Sequence, residues 1–176
     1  MTGHEKLDNI IEQALEIRTA QGRAPYMSIA IEKGSGGNDK RLASAYMQAL
    51  IDNGFAKSAV SWLSADIKFV GQASQFVKSA ADGAIILIEN IDQIDAIAGS
   101  ELSGALVSAI EERKITVVIC GTRKGIDAFL AEDPGLERRM NGSIDSDRAL
   151  PHECTHRDIT LMKPIGAIKQ RAPRPV

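Results

Sequence analysis

Two short stretches of this sequence carry residue types whose spacing suits phosphate chemistry. Gly34-Ser35-Gly36-Gly37-Asn38-Asp39-Lys40-Arg41 follows an apolar run. It lies close to the pattern G-x-x-x-x-G-K-[ST], in which backbone amides cradle phosphates, the lysine reaches them and the hydroxyl ligates magnesium. The first glycine and the lysine are in register, so Gly34, Gly36, Gly37, Lys40 and Arg41 are the candidate phosphate-binding residues. Asp39 replaces the second glycine and Arg41 replaces the hydroxyl residue. Two like charges about 4 Å apart at an effective dielectric near 20 repel by roughly 4 kcal/mol, about a thousandfold in affinity. Arg41 removes the magnesium ligand but can attract phosphate without metal. The second stretch is Gly83–Asp92, GAIILIENID, where an apolar run ends in Glu89-Asn90. A run apolar on both faces reads as a strand inside a parallel sheet, and ligands bind outside the carboxyl ends of such strands. Glu89 has the charge to reach a metal-bound water. Asn90 cannot take a proton, and a missing general base costs about a hundred- to ten-thousand-fold in rate.

A third cluster, His152-Glu153-Cys154-Thr155-His156, alternates ligand types. On a strand, residues 152, 154 and 156 share one face, but no second pair of ligands stands out, so no metal is expected. Cys120 ends an apolar run and reads as a buried hydrophobe. Two cysteines so far apart are not a disulfide framework, which points to a reducing compartment. The 176 residues are 44% hydrophobic and 25% charged, with net charge −2, the composition of one ordinary domain with or without a tail. That balance gives no general attraction for nucleic acid or an acidic membrane. No run approaches about 18 apolar residues, and the N-terminus has no apolar signal segment. A cytoplasmic protein is expected.

The elements that must position these residues follow from periodicity. Helical spacing covers 5–20, 40–53 and 102–113, with a helix or loop-helix over 69–81 and a short helix over 125–130. Asp133-Pro134-Gly135 is expected to stop the last of these. Strand-like runs cover 26–31, 59–63, 84–88, 115–120 and 143–145. Their alternation with helices predicts a parallel α/β sheet with right-handed crossovers. After Leu150 the sequence turns proline-rich and basic, with Lys163, Lys169, Arg171 and Arg174 and one strand-like piece at 158–162. Residues 151–176 read as an extension whose basic end is solvated or read by a partner.

Taken together, residues 5–147 resemble AAA+ ATPases of the branch that holds the red-type Rubisco activase and the stage V sporulation protein K. MSIAIEKGSGG stands where that family has a strand and its phosphate loop. FVGQASQFVKSAADGAIILIENID resembles its VGQ segment leading into the Walker B strand. ITVVICGTRKGIDAFLAEDPGLERRM resembles its sensor strand and its Asn-Pro-Gly-Leu-x-x-Arg arginine-finger segment. The resemblance implies a three-layer α/β/α P-loop sandwich over residues 1–150, with a five-stranded parallel sheet in the order 5-1-4-3-2. It makes Thr122 a polar residue near the γ-phosphate. It makes Arg139, preceded by Arg138, the arginine that reaches a neighbouring subunit's nucleotide. The implied cofactor is ATP or ADP with magnesium. No multi-helix pattern follows the last strand, so the family's lid is not expected.

Asp39, Arg41, Asn90 and the missing lid all weaken the nucleotide site. They favour a degenerate AAA+ domain that binds and regulates a protein partner, an active paralogue or another copy of itself. The alternative is a slow ATPase working in a ring through Lys40, Glu89, Thr122 and a neighbour's Arg139.

Overall fold

The computed structural model describes residues 3–34, 36–67 and 71–146. The metal-ligand cluster at 152–156 and the basic tail lie outside them. Helix α1, Gly3–Gln21, precedes strand β1, Ser28–Glu32. Helix α2, Asp39–Asp52, and strand β2, Ser58–Leu63, follow. Helix α3, Gln72–Ser79, leads to strand β3, Ala84–Glu89. Then come helix α4, Ala96–Arg113, and strand β4, Thr116–Gly121. Helices α5, Arg123–Ala131, and α6, Pro134–Arg138, precede strand β5, Met140–Asp145.

The five strands pair in parallel in the order β2-β3-β4-β1-β5, the expected order read from its other edge. Alternation sends Ile29, Ile31, Ile85, Leu87, Val118 and Cys120 to one face, where they pack with Leu42, Tyr46 and Leu50 of α2 and Ile11 of α1. Ala30, Ile86, Ile88, Val117 and Ile119 face the other way, against Leu102 and Leu106 of α4 and Phe129 of α5. Both faces of β3 and β4 are therefore buried, which is why these strands read as unbroken apolar runs. Helices on both faces make three layers.

Besides shifts of one to three residues at most element ends, three differences from the sequence reading stand out. Helix α4 begins six residues before 102, because the Asp95 carboxylate accepts the amides of Ile97 and Ala98 and caps it. Asp133-Pro134-Gly135 ends α5 but also starts α6: Asp133 caps it and Pro134 takes the first turn. Strand β5 begins three residues before 143, and a register irregularity lies between its pairings at Ser28 and Ala30. Among the described residues, no helix is long and apolar enough to cross a membrane.

Candidate functional site at the carboxyl edge of the sheet

Strands β1, β3 and β4 end on one edge, and of the sequence's candidates Lys40 and Glu89 meet there. The turn after β1 is pinned twice. Lys33 N–H donates to the Gly121 carbonyl at 2.6 Å, and Gly34 N–H donates to Ser146 Oγ at 2.9 Å. Ser146 is fully buried, so this bond ties the start of the turn to the end of β5. Gly37 has φ +67°, a conformation open to glycine at little cost. Helix α2 then starts at Asp39, which is only 6% exposed although charged. An anionic side chain in a helix's first turn is favoured by the dipole and the free amides there. Asp39 thus puts a carboxylate of the chain itself at the helix end that a phosphate loop offers to phosphate.

Lys40 comes next and reaches across to β3. Its ammonium lies 3.9 Å from Glu89 Oε1, and Ser61 Oγ donates to Glu89 Oε2 at 3.3 Å. The lysine is largely exposed while Glu89 is mostly covered. Arg41 is half-buried on α2. Asn90 follows with φ 55° and ψ 54°, a left-handed conformation in which asparagine is enriched among non-glycine residues. Its carbonyl accepts the Ser64 hydroxyl. The identity of residue 90 therefore has a backbone reason.

Thr122 is held by Asp92. The Thr122 hydroxyl donates to Asp92 Oδ1, and its N–H donates to Asp92 Oδ2 at 3.0 Å. The same hydroxyl oxygen accepts Gly125 N–H at 3.1 Å and caps α5. A β-carbon on Gly125 would fall 2.1 Å from Asp92 Oδ1, and one on Gly121 would fall 2.5 Å from Ile91 Cγ2. A side chain at either place would force Asp92 or Ile91 to move. Burial pushes the Asp92 carboxyl up, but the two Thr122 bonds and the Lys33 charge outweigh it and hold it below its ordinary value. The sequence reading missed Asp92. A carboxylate three residues past a strand end, with no motif of its own, gives no signal until the fold brings Thr122 beside it. Close by, burial first, and then the charges of Asp39 and Glu89, push the Cys120 thiol up to about 12.

Arg139 is at the other edge. It follows α6 and precedes β5, so one strand length, roughly 17–20 Å, separates it from the phosphate turn. It cannot serve its own chain's turn. Its guanidinium donates to Glu111 Oε1 at 2.6 Å and to the Gly135 carbonyl at 2.7 Å. The Tyr26 hydroxyl donates to the same carboxylate oxygen. The Tyr26 and Arg139 bonds hold the Glu111 carboxyl below its usual range, and the Tyr26 phenol is raised in return.

Comparison of the whole chain with solved structures gives RuvB of Thermotoga maritima. The P216G mutant superposes with a TM-score of 0.55 at 17% identity, covering 82% of this chain and 46% of that one. The structure described as the Holliday junction branch migration motor gives 0.52 at 18%, covering 80% and 44%. The fold is that of an AAA+ P-loop domain. This chain spans less than half the length of those structures. No family model matches it, and no curated protein matches it significantly. At such identity the likeness carries the architecture and not the activity.

Proposed function

We propose that this protein is an AAA+-type domain whose phosphate site has been given over to its own side chains, and that it works by binding and regulating a protein partner. The observation that carries the reading is Asp39, a nearly buried carboxylate at the first position of α2. A magnesium-bound triphosphate fits this residue set poorly. Asp39 repels it, Arg41 offers no metal ligand, Asn90 accepts no proton, and Thr122 is engaged by Asp92. The partner is a protein: an active relative of the same fold, or a second copy. The basic stretch 151–176 is a second place for that partner to dock. The motifs in VGQ, ENID and DPGLERR support the Rubisco activase and stage V sporulation protein K branch over other AAA+ branches. A role on DNA junctions, as in the RuvB proteins, is not part of the proposal, because net charge −2 gives no general attraction for DNA.

Calorimetric titration with ATP and magnesium, beside an assay of phosphate release, tests this. The wild type should show neither binding at micromolar concentration nor turnover. The triple variant Asp39→Gly, Arg41→Thr, Asn90→Glu should regain binding, with some strain at residue 90 because glutamate must adopt its left-handed backbone. One observation favours the second reading, a slow ATPase in a ring: Lys40 and Glu89 still stand together at 3.9 Å. Release of phosphate that disappears in Lys40→Ala and in Arg139→Ala selects that reading and overturns ours.

A further inference from the structure

We infer that the outer edge of β2 is a pairing surface for a second copy of this chain, joined antiparallel about a two-fold axis at Ser61. This goes beyond the regulatory reading and does not depend on it. The sheet has two edge strands, and they are built differently. Strand β5 has the features by which proteins protect an edge: a register irregularity, a positive φ of +95° at Gly142 and a terminal charge at Asp145. Strand β2, Ser-Ala-Val-Ser-Trp-Leu, has none of these. It carries no charge and no proline, its register with β3 is regular over all six residues, and no described element pairs with its other side. Ser58, Ala59, Ser61 and Leu63 are exposed, Leu63 by 43%. An uncharged, regular edge of this kind is a template for another strand.

The choice of partner comes from the register and the charges. Opposed residues in an antiparallel pair lie on the same face. With the axis at Ser61, Val60 meets Trp62 on the face where Trp62 already packs on Phe76, ring centroids 5.0 Å apart. Ala59 meets Leu63 on the other face, and Ser61 meets itself. The pattern is therefore complementary to itself on both faces. The strand is also flanked by opposite charges, Lys57 before it and Asp66 three residues after it, both exposed. Antiparallel pairing brings each Lys57 to the end where the other copy's Asp66 stands, twice per dimer. Parallel pairing would set like against like.

Sedimentation velocity from micromolar to sub-millimolar protein tests this, with the emission of Trp62, the sole tryptophan, as a second readout within the strand. The wild type should pass from an 18.9 kDa monomer to a dimer, with a concentration-dependent change in emission. Lys57→Glu and Asp66→Lys should each weaken association about tenfold at low ionic strength. The double variant Lys57→Glu, Asp66→Lys should restore it, which a merely structural role would not predict. Thermal unfolding of each variant checks that the fold is kept. A monomer at every concentration, a dimer indifferent to the single variants, or a double variant that is not restored overturns the inference. An assembly that needs nucleotide and is lost in Arg139→Ala belongs to the ring reading and equally overturns it.

Discussion

Replacing Asp39 separates charge from backbone at the phosphate turn. Asp39→Asn removes the charge and keeps nearly the same volume. Asp39→Gly also restores the glycine of the phosphate-loop pattern. A phosphate oxygen bound at the start of α2 would lie about 4–6 Å from the carboxylate, where the repulsion at an effective dielectric near 20 is about 3–4 kcal/mol. Removing it should improve affinity for ATP about a hundred- to a thousand-fold. The cost falls on stability. An acidic residue in the first helical turn contributes about 0.3–1 kcal/mol, which both variants lose. Glycine in the helix costs about 1 kcal/mol more. At about 2–4 °C per kcal/mol for a domain of this size, Asp39→Gly should unfold about 3–8 °C lower than wild type and Asp39→Asn about 1–4 °C lower. Calorimetric titration with ATP, with and without magnesium, reads the first effect, and differential scanning calorimetry reads the second. The reasoning fails if folded Asp39→Asn and Asp39→Gly bind no better than wild type. It also fails if the wild type already binds magnesium ATP at micromolar concentration.

Asp92→Asn should cost about 1 kcal/mol near neutral pH, after allowing for screening of an exposed carboxylate. Because the folded carboxyl lies below its ordinary value of 3.8, this stabilisation is present above that pH and vanishes as pH falls through the folded value. Thermal unfolding of wild type and variant should therefore converge as the pH falls through the lowered folded value. Gly125→Ala, normally favourable in a helix by about 1 kcal/mol, should instead destabilise by about 1–2 kcal/mol, since the new methyl displaces the Asp92 carboxylate; denaturant titration decides the sign. Ser146→Ala leaves Gly34 N–H without its partner and should cost about 1–2 kcal/mol, with faster hydrogen exchange at Gly34 as the signature. Glu111→Gln should lower the raised Tyr26 phenol toward its ordinary value near 10, read by ultraviolet difference titration. The other tyrosine, Tyr46, is buried and shifted too far up to interfere.

The sheet was legible because buried parallel strands leave a mark in local composition: AIILIE and TVVICG are apolar on both faces and bounded by turns. Edge strand β5 was legible only at its end, since Asn141, Gly142 and Ser143 face solvent and carry no alternation. The first two turns of α4 were missed because Ala96–Ser100 has a weak apolar face. Its start is set by the Asp95 cap and by Gly99, which lies close against Ile94 and Phe129. At the site, Lys40 and Glu89, which lie 3.9 Å apart, were named from the motifs. Asp92, Ser146, Glu111 and Tyr26 were not, because each acts on a residue at least 28 positions away, through contacts that only the folded topology creates.

The strand order also sets a schedule for the chain's synthesis. Strand β1 lies between β4 and β5, so one of its edges waits for residues 116–121 and the other for residues 140–145. At about 5–20 residues per second, roughly ten seconds pass between the making of β1 and the arrival of its last neighbour. Until β4 is made Ile29 and Ile31 have no sheet to join, and until β5 arrives one edge of β1 stays open, whereas β2 and β3 pair soon after they are made. The ribosome-bound chain therefore holds an apolar strand in waiting. A nascent-chain chaperone should engage residues 27–32 until β5 is clear of the exit tunnel and then release them.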